Sequence, residues 1–117
     1  MKKGQRTMAI VKISNQNMDK VTRYNLMKGN GADSLKNAAG SVLEITDYII
    51  NELDDDNMKL SLVTADGEMF VSTSQTCIKD FIDIADCWEE VLPPIEFFTA
   101  TSKKGREFLS CRPANVR

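Results

Sequence analysis

A mainly β fold is predicted by three features between Gly40 and Arg112: alternating β-branched runs on either side of Asp66-Gly67, one amphipathic helical run behind them, and a closing strand pair around Lys103-Lys104-Gly105-Arg106. In order these read as two strands, a tight turn, a third strand, a helix, the Pro93-Pro94 break and a hairpin. That order is the one found in an OB-fold, a five-stranded Greek-key barrel with one helix between strands 3 and 4. With 117 residues the chain has the length of a single domain with one core. Residues 1–39 are expected to be an N-terminal strand and loop extension packed on the barrel, and residues 40–117 the barrel itself.

Met8 to Ile13 has strand composition, and Ser14 to Met18 is polar and turn-like. Asn17 to Met27 admits a short helix or an extended segment, and extended structure is expected near Tyr24 to Met27. The glycines of Gly29 to Ser34 mark a loop, and Gly40 opens the next strand. Val42 to Leu53 is rich in β-branched residues; Leu43, Ile45 and Ile49 share a face that Asp47 interrupts. A long first strand that changes sheets at a bulge accounts for the interruption. After the acidic turn at Leu53 to Asn57 come Met58 to Ala65, Asp66-Gly67, and Glu68 to Thr73, a strong hairpin signal. A two-residue turn puts Leu60, Leu62, Met69 and Val71 in the core and Lys59, Ser61, Val63, Phe70 and Ser72 outside; a three-residue turn with Gly67 left-handed brings Phe70 inside. The first register buries more apolar side chains and is the expected one.

Ile78, Phe81, Ile82, Ala85 and Trp88 recur at helical spacing behind Ser74 or Thr76 as N-cap, and Pro93-Pro94 stops the helix. Ile95 to Thr101 and Arg106 to Arg112 then form the last hairpin. In its final strand, alternation places Arg106, Phe108, Ser110 and Arg112 on one face and Leu109 and Cys111 on the other.

The net charge of -2 is unevenly spread. Residues 1–28 carry seven Lys/Arg against one acid, residues 29–96 three against fifteen, and residues 97–117 five against one. The scattered helix acids Asp80, Asp83, Asp86, Glu89 and Glu90 read as a solvated face, whereas the basic ends suit a polyanion. No apolar run approaches the roughly 20 residues of a membrane span, and no secretory pattern follows Lys2, Lys3 and Arg6, so a cytosolic protein without membrane partners is expected. Cys77, Cys87 and Cys111 are odd in number and lack CxxC spacing; all three fall on apolar faces and read as core packing.

The chain has no histidine, phosphate-cradling glycine loop, dinucleotide fingerprint, nucleophile elbow or metal-ligand cluster. No enzyme, cofactor or metal is therefore expected. Asp54-Asp55-Asp56 lacks the glycine and distal glutamate of a calcium loop and reads as a solvated turn. The remaining chemistry is stacking and charge: any base can stack on an exposed ring while the backbone follows cations. Phe108 between Arg106 and Arg112 fits best. Phe70 and Tyr48 join it if they face outward, and Lys59, Lys103, Lys104, Arg106 and Arg112 are the phosphate-holding candidates. Phe81, Phe98 and Trp88 read as core filling.

Thr64-Ala65-Asp66-Gly67-Glu68-Met69-Phe70-Val71-Ser72-Thr73-Ser74-Gln75-Thr76, the helix behind it, and Thr101-Ser102-Lys103-Lys104-Gly105-Arg106-Glu107-Phe108 resemble the single-stranded DNA-binding proteins of small tailed bacteriophages, including Bacillus phages with protein-primed replication. Ser34-Leu35-Lys36-Asn37 is similar to the same group, so the resemblance spans about Ser34 to Arg112. It implies an OB-fold that coats single-stranded DNA without base preference during phage genome replication, in the cytoplasm of the infected bacterial host and alongside other replication proteins. The alternative is a protein-interaction module, such as a phage inhibitor of a host protein, whose acidic middle forms the contact surface.

Overall fold

The structure, a computed structural model, describes residues 10–29, 31–53, 56–89 and 91–114. The basic arm of Lys2, Lys3 and Arg6, the start of the strand expected from Met8, Asp54-Asp55 of the acidic turn, Glu90 and the C-terminal Asn115-Val116-Arg117 lie outside the described residues. The elements are β1 (Ile10–Ile13), α1 (Lys20–Lys28), β2 (Asp33–Ser34), a 3-10 turn (Leu35–Ala38), β3 (Ser41–Leu43), β4 (Ile45–Glu52), β5 (Met58–Thr64), β6 (Met69–Ser72), α2 (Gln75–Trp88), β7 (Ile95–Thr101) and β8 (Glu107–Pro113). Among the described residues the architecture is mixed α/β, mostly strands with two helices. Its strands form two open sheets, one of order β1-β4-β5-β6-β2 and one of order β3-β7-β8. Among the described residues no ladder joins β6 to β8; the outer edge of β6 instead takes a short parallel pairing from β2.

The break at Asp47 has the origin the sequence suggested. β3 pairs with β7 while β4 pairs with β5, and Glu44 alone separates them, so one chain segment passes from the small sheet to the large one. The β4–β5 register shifts between Ile45 and Asp47, and this bulge turns the strand.

Both faces of the large sheet are covered, which overturns the expected hairpin register. On one face Tyr48, Ile50, Leu60, Leu62 and Phe70 pack with Ile78, Phe81 and Ala85 of α2 and with Ile95, Phe97, Leu109 and Cys111 of the small sheet. On the other, Ile49, Val63 and Met69 pack under Met18 and Leu26. Leu62 pairs with Phe70 and Val63 with Met69, so Phe70 is inside. The argument that Met69 and Val71 must displace Phe70 from the core assumed one apolar face, and α1 supplies a second. The turn itself is the three-residue type: Thr64 N–H donates to Glu68 O at 2.8 Å, Gly67 N–H to Thr64 O at 2.9 Å, and Gly67 has φ +88°. Ser102 to Arg106 repeats it, with Ser102 N–H to Arg106 O at 2.8 Å, Gly105 N–H to Ser102 O at 2.9 Å and Gly105 at φ +83°. Thr64 and Ser102 each accept a backbone N–H at the hydroxyl, from Glu68 and Arg106, which anchors both turns.

The segment expected to be extended near Tyr24 is helical. Asp19 accepts from the N–H groups of Val21 and Thr22 at 3.1 and 3.2 Å, and left-handed Gly29 closes the other end by donating to Asn25 O at 2.9 Å. Caps at both ends and the burial of Leu26 outweigh the β-branched pair Val21-Thr22. Ser74 is the N-cap of α2, accepting from Cys77 N–H, and the helix ends at Glu89 before the prolines are reached.

Three expected core residues are not enclosed. The packed stripe of α2 ends at Ala85, and Trp88, one turn further on, is 42% exposed. Cys87 is exposed, while Cys77 and Cys111 are buried; the Cys77 side chain beside it, together with burial, pushes the Cys111 thiol far above its ordinary pKa and keeps it a neutral packing group. Phe98 is half-buried on the outer face of the small sheet. No helix among the described residues is long and apolar enough to cross a membrane.

Candidate nucleic-acid interface

The open seam between β6 and β8 is a cleft of about 490 Å³. Its walls come from five places in the chain: Ser34 and Lys36 around β2, Lys59 on β5, Val71 to Ser74 leaving β6, Thr99 on β7, and Glu107, Phe108 and Leu109 on β8. Its apolar lining residues are Val71, Phe108 and Leu109, and its polar ones include Ser34, Ser72, Thr73, Ser74, Thr99, Lys36 and Lys59. Glu107 is the one acid on this wall among the described residues.

Local hydrogen bonds explain why these groups stand where they do. The Gln75 amide accepts from Met58 N–H at 2.9 Å and donates to Met58 O at 2.9 Å and Thr73 O at 2.6 Å, which pins the start of β5 to the start of α2 just where Lys59 leaves the strand. Lys59 Nζ donates to Met27 O at 3.3 Å, a cation on a C-terminal carbonyl of α1. Ser74 Oγ donates to Leu109 O at 3.4 Å and so ties the N-terminus of α2 to β8 across the seam. A second cavity, about 510 Å³, is bordered by Asp47 and Glu89 with Ser14, Tyr48, Val91 and Leu92. Similar in size, it has the opposite charge and would repel a polyanion.

Of the residues singled out from the sequence, Lys59 and Phe108 share the cleft. Phe108 is half-buried and lines the cavity. Lys103, Lys104 and Arg106 are exposed at the tip of the β7–β8 hairpin, beside Glu107 but not lining the cavity. Arg112 is at the far end of β8, with its guanidinium 4.6 Å from the Phe98 ring centre and Nε donating to Glu96 Oε1 at 3.0 Å. It is thus committed to a neighbour and removed from the cleft.

Tyr48 and Phe70 are corrections: they are 4% and 7% exposed, and neither ring is open to a base. Tyr48 meets Phe81 edge to face, with ring centres 4.9 Å apart, and burial raises its hydroxyl's pKa. Phe70 is inside because the three-residue turn sets its register. Ser110, expected to face outward with Phe108, is buried where it donates to Asp80 Oδ2 of α2 at 2.5 Å.

Sequence reasoning passed over Ser34, Lys36, Thr73, Ser74 and Thr99 as site residues. Isolated hydroxyls carry no periodic signal, and what brings Ser34 and Lys36 to the cleft is the β2–β6 pairing. Three stretches far apart in sequence, Ser34 to Asn37, Thr64 to Thr76 and Thr101 to Phe108, each contribute to this single cavity. No cluster of three or more metal-ligating side chains occurs among the described residues. No protein-family model matches this chain, and neither a curated protein nor a solved structure does.

Proposed function

We propose that this chain is a sequence-independent single-stranded DNA-binding protein, an OB-type module that coats and protects displaced strands during phage genome replication. The observation that carries the reading is the convergence of three distant sequence stretches on one cleft that combines a half-open aromatic ring, two lysines and a ring of hydroxyls. A base stacks on Phe108, phosphates meet Lys36 and Lys59, and the hydroxyls of Ser34, Ser72, Thr73 and Thr99 take sugar or phosphate oxygens; none of these contacts distinguishes one base from another. The strand connections support the OB kinship: β3 and β4 act as one long first strand pairing with β7 and β5, β5 pairs with β6, β7 with β8, and α2 bridges the third strand to the fourth. The barrel is left open between β6 and β8, which is where the cleft lies. The exposed tip of Lys103, Lys104 and Arg106 extends the cationic rim. The protein acts stoichiometrically, in the cytoplasm of an infected bacterium.

A second reading, a protein-interaction module, draws on Trp88 and Val91, 42% and 76% exposed, beside the acidic end of α2. Salt separates the two. Single-strand affinity falls with salt at a log-log slope of roughly -0.7 per neutralised phosphate. Replacing Lys36 and Lys59 with Gln should flatten the slope by about 1.4 units, and replacing Lys103, Lys104 and Arg106 with Gln by about 2, in fluorescence titrations of labelled oligo-dT. Folded variants of both kinds with an unaltered slope would remove the cleft and its rim from the site.

A further inference from the structure

We infer that α1 carries the single strand beyond the cleft, with Tyr24 as a second stacking platform and Lys20 and Lys28 as phosphate contacts. This rests on the single-strand reading above. Lys20, Tyr24 and Lys28 stand at successive four-residue steps, so they form one stripe along the helix. All three are exposed, Tyr24 by 57%, and they lie away from Leu26, which is buried against the sheet. The helix, Lys20 to Lys28, contains three cations and no acid.

The stripe leads to the cleft. Gly29, directly after Lys28, sits so close to its wall that a Cβ there would be 3.5 Å from Lys59 Nζ and 3.5 Å from Val71 Cγ1. Tyr24 is one turn before Lys28, about 6 Å along the axis. A ring between two lysines, opening onto a cleft with another ring and two more lysines, is the alternation of stacking and positive charge that single strands follow. The other helix is unsuitable: α2 covers the opposite face of the large sheet and exposes Asp83, Asp86 and Glu89. The charge asymmetry thus orients the strand towards α1.

The test compares oligo-dT of about 5 and about 16 nucleotides, the short one filling the cleft and the long one reaching α1. Tyr24→Ala should weaken the long oligonucleotide by about 5- to 150-fold and leave the short one unchanged, and Tyr24→Phe should bind both as wild type does. Lys20→Gln with Lys28→Gln should flatten the salt slope on the long oligonucleotide by about 1.4 units. Wild-type binding of the long oligonucleotide by the Tyr24→Ala and double-lysine variants, while Phe108→Ala still weakens it, would overturn this inference and spare the cleft. Equal losses on both lengths would overturn the placement of Tyr24 beyond the cleft. Failure of the unmodified protein to bind either length would overturn the parent reading and this one together.

Discussion

Truncating Phe81 to Ala should cost about 3–5 kcal/mol of folding stability. Phe81 is fully buried at the centre of the main core, between α2 and the large sheet, and its ring meets Tyr48 at an interplanar angle of 81°. Truncation removes the transfer energy of the ring, leaves a cavity whose walls relax only in part, and ends an aromatic contact. Small domains are stable by only about 5–15 kcal/mol, so the loss would take a large share of the total. Urea denaturation measures it as a fall in midpoint at constant slope. A change below about 1 kcal/mol would mean that α2 does not seat its apolar stripe on this sheet.

Phe108 should behave in the opposite way. Truncation to Ala is expected to weaken single-strand binding by about 1–3 kcal/mol, the range for one stacked base, and to move the melting temperature far less than the Phe81 change does. The basis is its position: half-buried, it lines the cleft together with Val71, Lys36 and Lys59. Oligonucleotide titration and thermal melting of the same preparation separate the two effects. If the melting temperature collapses while the remaining folded protein binds normally, Phe108 is packing and the cleft has no stacking platform.

The parts of this fold that the sequence revealed are those set by local rules. The sheet change after Glu44 is visible because Asp47 interrupts a β-branched run, α2 because its apolar residues recur behind a capping serine, and the closing hairpin because Gly105 stands between two alternating strands. The errors arose where a second layer altered the meaning of a local pattern. With α1 on the far face, Met69 and Val63 are wanted on one side and Phe70 and Leu62 on the other, so counting apolar residues on a single face selects the wrong register. The same cover buries Asn51 and Ser61 completely, and their side chains have no partner among the described residues. Nothing in their composition announces it. The cleft was half legible. Lys59 and Phe108 stood out as charge and ring, whereas Ser34 and Lys36 reach the cleft only through the β2–β6 pairing, made over a long sequence separation, and Thr99 is an isolated hydroxyl on the expected hairpin with no periodic signal.

Stacking and backbone charge reward an unpaired strand, whose bases are free to enter a cleft, over a duplex whose bases are already stacked on one another. Labelled poly-dT titrated against a duplex of equal length at matched salt therefore tests the central claim most directly. The account predicts that the single strand binds far more tightly, with an affinity that falls as salt rises. Equal affinity for the two, or no binding to either, would contradict it.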